Sequence, residues 1–126
     1  MRAFEFLIEA EALSKKGDDA GARAALQTLV VARDASFSAA TLAGPSLLAA
    51  ILVQRRIELW GEGFSMIDIK RLKIGLNRPT GPGNHGSPSL DPIIYTMADA
   101  DPRFVLKIPK REMDNNPFLT PADQNP

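Results

Sequence analysis

Apolar residues at Phe4, Leu7, Ile8 and Ala12 recur at steps of three and four, the spacing that lines one face of a helix, and predict a first helix over residues 3–16. Lys15 and Lys16 fall in its last turn and Gly17 follows, so cations meet the negative helix end and glycine supplies a left-handed exit. Asp18 or Asp19 then caps a second helix, whose Ala22, Ala25, Leu26, Leu29 and Val30 keep the same period. Only a tight turn separates the two, which makes them an antiparallel hairpin. After Arg33 a stretch of small residues, Asp34 to Pro45, reads as a connector or short helix. Ser46 is placed to cap a third helix through Leu48, Ile51, Leu52, Arg55, Leu59 and Trp60, ending near Gly61 or Gly63. Phe64, Ile67, Asp68, Arg71 and Leu72 suggest a shorter fourth helix, closed by Gly75.

Beyond that point the helical period is lost. Asn77 to Pro102 reads as loop, with Pro79, Gly81, Pro82, Gly83, Gly86 and Pro88 in close succession. Phe104 to Pro109 reads as a short extended segment docked without a sheet, and Asn115 to Pro126 as a polar, irregular tail. The expected class is therefore all-α: a hairpin over 1–34, further helices over 46–75, and a long irregular C-terminal region over 76–126. The 126 residues fit one domain.

The hairpin also places small and large residues (Ala10, Leu13, Gly17-Asp18, Ala22, Leu26) where tetratricopeptide repeats put them. Small residues let two helix backbones approach closely, and larger ones fill the groove beside them. A single such unit cannot bury its outer face, and no second copy follows at that period.

Composition narrows the chemistry. Fifteen Lys+Arg balance fifteen Asp+Glu, which argues against a nucleic-acid binder working through phosphate neutralisation. The absence of cysteine removes disulfides, thiolate metal sites and a thiol nucleophile. The longest apolar run, Leu47 to Val53, is far too short to span a bilayer, and the first residues lack the pattern of a secretory signal. The sole histidine, His85, lies in the Gly/Pro loop with no metal-ligating residue at a helical offset, so neither a metal nor another cofactor is expected. Glu58 and Glu62 lie four apart on one face, as an acid and a base would. Arg55, Arg56, Asp68, Lys70 and Arg71 surround them, and ion pairing accounts for these charges without catalysis. Glu11 shares the apolar face of the first helix and so requires a partner, for which Arg33, Arg55 or Arg56 is placed. Trp60 and Phe64 flank Gly61-Glu62-Gly63 and read as a plug at a helix junction rather than a platform for a sugar ring; Tyr95 is the better exposed aromatic, and His85 and Tyr95 are the ligand candidates.

Arg55-Arg56-Ile57-Glu58-Leu59-Trp60-Gly61-Glu62-Gly63-Phe64, followed by Ile67-Asp68-Ile69-Lys70-Arg71, resembles the R-R-x-E-L-x-x-E-G…F-D-L-K-R signature near the end of SusD/RagB nutrient-binding proteins. Ile108 to Pro117 is similar to the closing I-P-x-x-E-x-x-x-N-P of that family, and the opening hairpin to its last tetratricopeptide unit. Met66, Ser65 and Val30 depart from the pattern, standing where many members have Trp, a larger polar residue, and an Arg that precedes the matched Arg33. The resemblance implies the C-terminal part of a longer outer-membrane lipoprotein at the cell surface. Such a protein captures a glycan or other nutrient without cleaving it and passes it to a TonB-dependent transporter. It also implies that Glu58, Gly63, Asp68, Lys70, Arg71, Pro109, Glu112 and Pro117 are scaffold, with Glu11, Arg33 and Arg55 joining them in buried pairs. A tetratricopeptide-like protein adaptor is the alternative, and a hydrolase using Glu58 and Glu62 comes third. Helix faces left without neighbouring repeats would favour self-association.

Overall fold

The computed structural model describes residues 3–82, 84 and 94–125. The order of elements is α1 (Ala3–Lys15), α2 (Asp19–Val31), α3 (Gly44–Glu58), α4 (Phe64–Leu72), β1 (Leu76–Asn77), β2 (Thr96–Met97), a 3-10 turn (Pro102–Phe104), α5 (Lys110–Asn115) and a second 3-10 turn (Pro121–Asp123). The fold is mostly helical, as its periodicity predicts. The chain divides into two units, Met1–Ser65 and Met66–Pro126.

In the first unit α1 and α2 form the hairpin. Gly17 takes φ +83°, and the amides of Gly17 and Asp18 close back onto the carbonyls of Ser14 and Leu13, at 3.1 and 2.9 Å. Asp18 caps α2 by accepting from the Gly21 amide at 2.9 Å. Ala10, Ala22 and Ala25 are buried where the helices meet, and Leu26, Val30, Leu47 and Ile51 complete that core with Ala39 of the connector. A second cluster joins Leu7 and Leu29 to Leu59, just past the end of α3. α3 packs chiefly against α1. Each fully buried leucine contributes about 1.5–3 kcal/mol relative to exposure.

The connector between α2 and α3 is held by polar side chains. Asp19, Arg23 and Gln27 lie four residues apart on one face of α2; Arg23 and Gln27 bond to connector backbone, and Asp19 to the first residue of α3. Asp19 Oδ2 accepts from the Gly44 amide at 2.7 Å, and Arg23 Nη1 donates to the Leu42 carbonyl at 3.0 Å. The Gln27 amide does both, donating to the Phe37 carbonyl and accepting from the Ala39 N–H, each at 2.8 Å. α3 starts earlier than Ser46 because Pro45 presets the first turn; Ala43 occupies the cap position, and Ser46 Oγ accepts from the Ala43 amide at 3.2 Å. α3 also ends sooner than expected, at Glu58, and the turn beyond it passes through left-handed Gly61 and Gly63.

In the second unit, three expectations give way. The loop from Asn77 is bounded by a short antiparallel pair, Leu76 opposite Met97 and Asn77 opposite Thr96, extended by an Arg78 amide bond to the Tyr95 carbonyl at 2.8 Å. Two-residue strands are too brief for a period-two pattern to register. Gly75 is required at the mouth of this pair: its φ is +66°, and a Cβ there would collide with the Met97 carbonyl oxygen. The segment expected to be extended from Phe104 begins instead inside a 3-10 turn capped by Asp101, with Phe104 buried. The tail holds α5 and a further turn at Pro121–Asp123, so it is less irregular than its polarity implies. Gln124 holds Ile108 at both backbone groups, accepting from its amide at 2.8 Å and donating to its carbonyl at 3.1 Å. Asn125 adds a bond to the Leu106 carbonyl at 2.8 Å.

Candidate functional site

The signature residues of the first unit cluster around the base of α3. Arg55 is 6% exposed, and its guanidinium carbon lies 5.3 Å from the centroid of the Phe4 ring and 5.6 Å from that of Phe64. The two rings are themselves 5.1 Å apart. The three centres form a near-equilateral triangle, so the guanidinium sits beside a pair of rings that touch each other; being planar and more weakly hydrated than an ammonium, it suits a buried place against aromatic side chains. Sequence reading assigned Arg55 to ion pairing and did not foresee its contact with the rings, since Phe4 shares its spacing with Leu7 and Ile8 and reads simply as part of the apolar face of α1.

Glu11, equally buried, accepts from Lys15 Nζ at 2.6 Å one turn along α1. Glu58 pairs with Arg33 Nη2 at 3.3 Å rather than with Arg55 three residues before it, because Arg55 is turned into the rings. The Arg33 side chain is 61% exposed and that of Glu58 9%, so water reaches this pair from one side. Glu62 stands in the exposed turn. Glu58 is thus engaged in a charge pair, and its spacing from Glu62 reflects the end of a helix. Trp60 is not a plug: it is 87% exposed, and Leu59 and Phe64 fill the junction in its place. The residue next to it points inward because α3 has just ended and Leu59 completes the inner face.

In the second unit Asp68 is buried and accepts from Arg71 Nε at 2.6 Å, one turn along α4. Lys70 donates to the Phe104 carbonyl at 3.2 Å, tying α4 to the turn that buries Phe104. Pro109 caps α5, Glu112 accepts from Asn116 Nδ2 at 2.7 Å, and Pro117 follows the helix. This second signature therefore spells one short helix with a start, a side-chain brace and a stop. Beside it lies an open hollow of about 420 Å³ lined by Pro109, Arg111, Glu112 and Asn115. Tyr95 is half-buried next to β2, and His85 lies outside the described residues.

The perturbed ionisations arise from local bonds at the surface. Two Arg103 bonds to the Asp101 carboxylate hold its pKa at about 2 and raise that of Arg103. Asp34 is lowered by the hydroxyl and amide of Ser36, and Asp123 by those of Thr120. Each of these carboxylates braces a turn through partners two or three residues away. Among the described residues, no three His, Asp or Glu side chains are grouped to hold a metal ion, and no helix is long and apolar enough to cross a membrane.

Against known proteins, a family model described as the SusD family matches residues 5–126. No curated protein matches. Among solved structures, a candidate sugar binding protein of Bacteroides vulgatus ATCC 8482 superimposes with a TM-score of 0.77 at 28% identity. The match takes in 98% of this chain and 27% of that one.

Proposed function

Because the chain belongs to the SusD family over residues 5–126, we propose that it forms a non-catalytic scaffold portion of a surface glycan- or nutrient-binding protein. In that reading residues 1–34 are a tetratricopeptide-like hairpin, 46–75 the signature helices and 76–126 a loop and tail, together the C-terminal part of the longer domain. The whole protein is held at the outer face of the outer membrane as a lipoprotein and delivers its ligand to a TonB-dependent transporter. Sugar contacts lie mainly outside this chain.

One observation carries the scaffold role: the charged signature side chains are spent on contacts within a helix or between neighbouring elements. Arg55 lies against two rings, Glu58 faces Arg33, Asp68 faces Arg71, Lys70 reaches the Phe104 carbonyl and Glu112 faces Asn116. The likeness to a candidate sugar binding protein supports the ligand class. The test compares oligosaccharide binding by this chain with binding by the product of the gene together with any reading frame joined upstream of Met1. Tight binding by the longer product, weak or no binding by residues 1–126, and no release of shorter sugars from either are expected. Hydrolysis that disappears in Glu58→Gln would overturn the scaffold reading.

A second reading is favoured by the apolar residues Val53, Ile57 and Trp60, which follow one another along the outer side of α3 and the turn after it, all more than half exposed. An adaptor that docks another protein would present such a stripe. It predicts retention of a protein partner by residues 1–126 alone, and loss of that partner in Ile57→Glu. Light scattering over a concentration series separates this from self-association.

A further inference from the structure

We draw no further inference here: the strongest candidate, the exposed apolar stripe of Val53, Ile57 and Trp60 along α3 and the turn after it, belongs to the second reading already given, and nothing in the structure shows what covers it.

Discussion

In Met1–Ser65 the side chains that hold the fold are mainly apolar and recur every three or four residues, whereas in Met66–Pro126 they are mainly amides and carboxylates bonded to backbone or to close neighbours in sequence. Leu7, Leu26, Leu29, Leu47 and Ile51 are almost fully enclosed in the first unit. In the second, Phe104 is the one buried large hydrophobic among the described residues, and Gln124 and Asn125 reach back 16 and 19 positions to hold the stretch at Leu106–Ile108. Apolar burial is shared among three helices, so its loss is felt by all of them together. A clamp made of two hydrogen bonds fails by itself. The first unit should therefore open cooperatively, and the second in smaller steps.

The sharpest way to break that contrast is a cavity in the first unit. Leu26→Ala removes a fully enclosed side chain from the meeting of α1, α2 and α3 and should cost about 2–5 kcal/mol, read as a lower denaturant midpoint with the slope unchanged. A cost below about 1 kcal/mol would mean that the helices are loosely packed there.

Arg55 should come next. Arg55→Ala removes a buried cation from beside Phe4 and Phe64 and should cost about 2 kcal/mol or more, and Arg55→Lys should recover only part, since an ammonium cannot lie flat against a ring as a guanidinium does. Arg33→Gln should cost less than about 1 kcal/mol, because the Arg33 end of its pair is open to water. Equal costs for the two arginines would remove the distinction between a buried aromatic contact and a surface pair.

Smaller effects compare polar clamps across the units. Gln27→Ala strips the Phe37 carbonyl and the Ala39 amide of their partners, and Gln124→Ala does the same to Ile108; each should cost about 1–3 kcal/mol locally. Hydrogen exchange tells them apart. Gln27→Ala should speed exchange throughout α2 and α3, because Ala39 belongs to their core, while Gln124→Ala should speed it only around residues 105–125. Global acceleration from Gln124→Ala would show that the second unit opens as a whole.

These clamps also mark where sequence stops being informative. The helices of the first unit could be read because period and burial coincide: an apolar residue at every third or fourth place is both the signal and the cause. The face Asp19, Arg23, Gln27 has the same period, yet it reads as an ordinary solvated surface, since nothing in the letters says that the connector doubles back onto it. Gln124 and Ile108 are likewise coupled only through space. α5 was hidden for another reason, being a single turn and a half started by Pro109 and stopped before Pro117, too short for a period to appear. Family likeness singled out Pro109, Glu112 and Pro117 where periodicity could not, and the geometry supplies the reason those letters stand at those spacings.

Acid should act on the second unit in a defined window. Asp101 is held at about 2 by Arg103, below its ordinary value of 3.8, so the folded turn favours the ionised carboxylate. Its contribution is complete above the ordinary value and is lost as pH falls toward 2. A carbon-detected titration of the Asp101 carboxyl should give a midpoint near 2, moving toward the ordinary value in Arg103→Gln. An unshifted midpoint in the parent chain would show that the turn is not closed in solution.

The smallest expected effect lies on the surface of the first unit. Trp60→Ala should change stability by no more than about 0.5 kcal/mol, since the indole is 87% exposed and Leu59, not Trp60, reaches the core. Trp60 is also the chain's one tryptophan, so its fluorescence reports this position alone. Emission typical of a hydrated indole, unchanged on dilution, goes with an open stripe along α3. Emission shifted to shorter wavelength that reverts on dilution would mean that copies of the chain cover Val53, Ile57 and Trp60 in solution. The exposed face would then behave as core, and the division between a first unit built on burial and a second built on clamps would have to include an interface as a third kind of support.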